Sequence, residues 1–136
     1  MSSDLVDLLL QRPGQLPPAL VEVALQQLTV EPERVEARLV ELVKAIVEAW
    51  CARSPTLVEI DLAVALLEPH QRFMDEVEQK RSQLDGDDYM AANAPVVYLV
   101  TAFTKRTRAE NDFTARFRLV NARLMPHVLR YFRMKP

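Results

Sequence analysis

Lys105, Arg108, Arg116, Arg123, Arg130 and Arg133, with Tyr131 among them, have the residue types and spacing to hold a polyanion. A guanidinium grips phosphate or carboxylate through two parallel hydrogen bonds and stacks on flat rings, and an aromatic side chain set between arginines offers a face to an unpaired base. Arginine outnumbers lysine here, and the runs Arg116-Phe117-Arg118 and Arg130-Tyr131-Phe132-Arg133 interleave the two types. Phe117 reads as core, whereas Tyr131 and Phe132 read as stackers. On a helix at about 100° per residue, Lys105, Arg108, Arg116, Arg123 and Arg130 share one side, while Phe113, Phe117, Val120 and Leu124 share another. Lys105, Arg116, Arg123 and Arg130 would then stand on one line nearly 40 Å long at about 1.5 Å per residue, enough to follow a phosphate backbone or an acidic helix.

The rest of the chain has the opposite charge. From Lys105 to Lys135 nine Lys/Arg face only Glu110 and Asp112, whereas the first 104 residues hold eight Lys/Arg and seventeen Asp/Glu. The net charge of −2 therefore sums a −9 body and a +7 terminal segment, an asymmetry that points to an acidic partner. Three readings fit it: the basic face pairs with the chain's own acidic body, it binds RNA or single-stranded DNA, or it meets an acidic protein surface, including that of another copy.

Enzymatic chemistry finds little support. Gly14 and Gly86 are the only glycines, so no glycine-rich phosphate loop, dinucleotide fingerprint or G-x-S-x-G elbow can be written. His70 and His127 each follow a proline at a helix boundary, without the ligand spacing of a metal site, and Glu-x-x-His is absent. The single Cys51 has no disulfide partner and, beside Trp50 on an apolar stripe, reads as an inert thiol. No catalytic residue, metal or cofactor is expected. Reduced cysteine usage and an N-terminus that opens on acids instead of a cationic leader lead us to expect a cytoplasmic protein. The longest nearly apolar run, 94–104, is about half of what crosses a bilayer as a helix.

The elements that must position these residues are helical. At 49% hydrophobic and 26% charged the chain has the composition of a folded domain, and 136 residues suffice for one core. Nine prolines punctuate it. Ser3 can cap a helix over 4–11, and Pro17-Pro18 can open a second to about Leu28 with Leu20, Val23 or Ala24, and Leu28 inward. A third runs from Pro32 to about Arg53, because Val35, Leu39, Leu42, Val43, Ile46, Val47 and Trp50 recur at intervals of three and four. Thr56-Leu57-Val58-Glu59 has the spacing of a capping box and starts a fourth, with Leu57, Ile60, Ala63 or Val64 and Leu67 inward. Pro69 kinks this arm or opens a new segment carrying Phe73, Met74, Val77 and Leu84, and 85–88 reads as a solvated turn. The stretch 96–104 is β-branched enough for a strand, but the periodicity downstream favours one long helix from Pro95 to Leu124, kinked at Pro126.

These readings predict an all-α, compact bundle of five to seven helices forming one domain, with an acidic body over 1–92 and a basic helical segment over 93–136. They suggest a non-catalytic subunit of a larger complex of the ribonucleoprotein kind, holding a polyanion, nucleic acid first of all, on its last helix. The alternative is a helical adaptor or chaperone, with a possible homo-oligomer, whose basic stripe pairs with acidic protein surface.

Overall fold

Prolines and capping side chains set most element boundaries in the computed structural model, which describes residues 4–71, 86–107 and 113–134. Among the described residues there are eight α-helices, where five to seven were expected, and no strand, so the chain is all-α as predicted. Helix α1 spans Leu5–Gln11, and Asp4 rather than Ser3 supplies its cap: the Asp4 carboxylate accepts the Asp7 N–H at 2.9 Å. Helix α2, Pro18–Thr29, starts on a proline whose missing N–H costs nothing there. It buries Val21, Ala24, Leu25 and Leu28. Of the residues expected inward, Ala24 and Leu28 are buried, whereas Leu20 and the alternative Val23 are exposed, because the contact face is rotated towards Val21 and Leu25.

The predicted helix over 32–53 is two helices, α3 (Pro32–Ala37) and α4 (Leu39–Ala52), separated at Arg38 with φ −131° and ψ 35°. Arg34 pairs with Asp4 at 2.7 Å and Asp7 at 3.6 Å, and Arg38 reaches Asp7 at 3.9 Å, so α3 is tied down onto α1. The change of axis at Arg38 serves that docking. Apolar periodicity runs straight through it, since periodicity reports which side is buried and not where the axis points.

Helix α5, Leu57–Leu67, opens with the predicted capping box, in which the Glu59 N–H donates to Thr56 Oγ1 at 3.1 Å and the Thr56 N–H donates to Glu59 Oε1 at 3.2 Å. A 3-10 turn at Glu68–His70 around Pro69 ends it. The expected Phe73, Met74, Val77 and Leu84 stripe lies outside the described residues. Helix α6, Gly86–Asn93, replaces the expected solvated turn. Asp87 and Asp88 sit in its first turn, where negative charge is favoured, and Lys44 of α4 pairs with Asp88.

The stretch 96–104 is helical, within α7 (Pro95–Thr107), and α8 covers Phe113–Met134 with Pro126 inside it. The single helix expected from Pro95 to Leu124 is therefore two helices packed against each other. Val100 and Thr104 of α7 line the same groove as Asn121 and Met125 of α8. Pairing buries Val96, Leu99 and Phe103 together with Val120 and Leu124, apolar contact that one extended rod would have left in water. Pro126 withholds one backbone bond from the Ala122 carbonyl, which is the physical cause of a kink at that position.

One core joins all of this. Trp50 of α4 meets Phe103 of α7 edge to face, with centroids 6.3 Å apart and planes at 84°, amid Leu9, Leu25, Ile46, Ile60, Leu99 and Leu124, all at or near zero exposure. Two surface carboxylates clamp the outer helices. The backbone N–H of Asp7, then Arg34, hold the Asp4 carboxyl below the ordinary carboxylate range, and Arg106, hydrogen-bonded to Glu48, does the same there. A depressed folded-state pKa stabilises above the unfolded value, and that stabilisation is lost as pH falls through the folded one. The gap in thermal midpoint between the wild type and an Asp4→Asn, Glu48→Gln variant is therefore expected at pH 7 and should close as pH falls below the ordinary carboxylate range, as a melting series would show.

Candidate interaction surface on the C-terminal helix

Helix α8 divides into three faces. With Arg118 at zero and about 100° per residue, Val120, Leu124, Val128 and Tyr131 fall between about 200° and 280°. All four are buried. Arg123, His127 and Arg130 fall between about 120° and 180°. Ala122, Met125, Pro126, Leu129, Phe132 and Arg133 lie within about 80° of Arg118 and form the third face, which points outward with only Met125 half-buried.

The second face is occupied by the protein's own acids. Arg123 stands 3.8 Å from Asp61 and Arg130 3.0 Å from Glu68, and His127 Nδ1 contacts the other oxygen of Glu68. Asp61 and Glu68 are seven residues apart on and just after α5, matching the seven between Arg123 and Arg130, so the two strips run parallel in register. That match is readable in the sequence as equal charge spacings, Asp61 to Glu68 and Arg123 to Arg130. Arg123, Asp61 and Arg130 are exposed and Glu68 is half-buried, so each pair contributes no more than the roughly 0–1 kcal/mol of a surface ion pair. The Arg123→Gln, Arg130→Gln variant should fold and lose at most about 1 kcal/mol, a shift of a few degrees in a melt.

The predicted site residues consequently separate. Lys105 is on α7 and not in line with Arg123 and Arg130, and Arg106 beside it is paired with Glu48. Arg108 lies outside the described residues; Arg116 is on α8, but its side chain, like those of Phe113 and Phe117, is also outside them. Tyr131 is 6% exposed, and burial pushes its phenol up while a hydrogen bond with Asn93 opposes the shift, so its faces are not open to a base. Phe132 packs edge-on against Tyr131 at 5.4 Å and keeps 51% of its surface exposed. Arg133 is exposed beside it.

What remains accessible is the outward face. Arg118 stands at one end, Arg133 at the other, and Ala122, Leu129 and Phe132 between them. Alongside, α7 and α8 leave an open groove of about 470 Å³ lined by Val100, Thr101, Thr104, Lys105, Asn121 and Met125, which brings Lys105 back to the edge of this face. Lys105, Arg118 and Arg133 make no ion pair with another described residue. Arg118, Ala122 and Leu129 are the members that sequence reasoning missed; for Leu129, 49% exposed, the spacing of three from Phe132 was the available signal.

Other chemistry is thin. Glu59 is fully buried but engaged by Arg53 at 2.8 and 3.0 Å and by the capping box, which is structural work. Among the described residues no group of three His, Cys, Asp or Glu could hold a metal ion, and no helix is long and apolar enough to cross a membrane. Compared with family models, curated proteins and solved structures, the chain matches none.

Proposed function

We propose that the protein is a non-catalytic helical subunit of a larger assembly that holds an acidic protein partner on the outward face of α8. The observation that supports this most is the division of labour on that helix: Arg123 and Arg130 are committed to Asp61 and Glu68, while Arg118 and Arg133 flank exposed Leu129 and Phe132. Cations at the rim of an apolar strip suit a protein surface with an apolar centre and acidic edges, because the rim steers and selects while the apolar contacts hold. The α1 to α5 body then serves as the scaffold onto which the α7–α8 pair is packed.

Nucleic acid is the second reading, and one observation favours it: Phe132 is half exposed on the same outward face as Arg133, a stacking surface with a cation on its face. Against it, Arg123 and Arg130, two of the four residues on the predicted line, are paired internally, and Tyr131 is buried.

Fluorescence anisotropy with labelled oligouridylate and oligothymidylate separates the two. The adaptor reading expects no binding tighter than non-specific, roughly 10⁻⁴ to 10⁻⁶ M, and an absorbance ratio of purified protein free of nucleic acid. Submicromolar, salt-sensitive binding that Phe132→Ala abolishes would transfer the proposal to nucleic acid.

A further inference from the structure

We infer that the acidic partner presents an amphipathic α-helix that lies along the outward face of α8. This rests on the adaptor reading and adds the shape of what is bound. From Arg118 to Arg133 the face runs about 22 Å at about 1.5 Å per residue, four turns of a helix. Its apolar members, Ala122, Leu129 and Phe132, follow the three-and-four rhythm of a helix surface, and a second helix meets such a surface through its own i, i+3, i+4 and i+7 positions. Ala122 is the small residue that lets the two axes approach, and the open groove beside Met125 takes side chains from one flank of the incoming helix.

Charge selects the occupant. Arg118 and Lys105 stand at one end and Arg133 at the other, and none pairs with another described residue. Carboxylates about four turns apart on the incoming helix would meet them. A second copy of the same face does not fit: any two-fold pairing of the face with itself sets arginine against arginine at both ends. The partner is therefore a different surface, apolar along its middle and acidic at its ends.

The test is a selection from a displayed library of helical peptides about eighteen residues long, five turns, with one face randomised. The full chain is the target, and binders are depleted on an Arg118→Glu, Arg133→Glu variant whose helicity is confirmed by circular dichroism. The inference expects survivors with Asp or Glu towards both ends of an apolar i, i+3, i+7 stripe. They should bind at least tenfold more weakly to Leu129→Ser and shift the backbone amide resonances of Ala122, Leu129 and Phe132. Acidic survivors without a helical apolar stripe would overturn the helix and leave the acidic partner standing. If no survivor carries an acidic bias, or none remains after depletion, both fall. If an eighteen-nucleotide oligothymidylate shifts the same resonances at lower concentration than any selected peptide, the face belongs to nucleic acid.

Discussion

Glu59→Ala is expected to destabilise the protein by about 3 to 5 kcal/mol, the cost of removing one partner from a buried ion pair. The Glu59 side chain has no exposed surface, and its carboxylate accepts from both terminal nitrogens of Arg53, at 2.8 and 3.0 Å, and from the Thr56 N–H at 3.2 Å. Truncation does two things at once. It leaves the Arg53 guanidinium, only 22% exposed, without its carboxylate, and it opens the return half of the capping box that starts α5. Because Arg53 retains some access to water, the value should fall near the lower end of the range. Glu59→Gln keeps the shape and an acceptor for Thr56, and should lose less than half as much. Urea unfolding of the two variants reads the difference; equal losses would mean that shape, not charge, holds this corner.

Trp50→Ala should cost a comparable 3 to 5 kcal/mol, roughly, from lost transfer energy and the cavity left behind. Trp50 has no exposed surface and is the largest side chain in the core, and its edge-to-face contact with Phe103 is where α4 of the acidic body meets α7 of the basic segment. Ile46→Ala, one turn earlier on the same stripe, should cost about 2 to 5 kcal/mol. A thermal midpoint lowered by less than about 5 °C in Trp50→Ala would show that the site collapses, or that α7 and α8 are not held to the body through this contact.

The sequence made the helices legible because burial imposes a three-and-four rhythm on α4 and α5 and because Pro32 marks the start of α3 and Thr56 that of α5. Its failures have two physical causes. The rhythm runs on through Arg38, so α3 and α4 read as one helix, and through the 95–124 stretch, so α7 and α8 read as one rod; direction changes are tertiary decisions that periodicity does not encode. On α2 the wheel was right and its rotation was not: Leu20 and Val23 look outward while Val21 and Leu25 look in, since an apolar helix offers more than one plausible inner side. The candidate surface was half legible. The excess of arginine was plain, but which arginines are spoken for depended on Asp61 and Glu68, some sixty residues away in sequence.

Comparative affinity purification tests the central claim most directly. The tagged full chain, after nuclease treatment and at low salt, is set beside two variants: Arg118→Glu, Leu129→Ser, Arg133→Glu on the outward face, and Arg123→Gln, Arg130→Gln on the face paired with α5. The account predicts that an acidic protein held by the wild type elutes with salt, is lost from the outward-face variant and is retained by the other. Recovery that is equal on both variants, or lost only when Arg123 and Arg130 are changed, would contradict it.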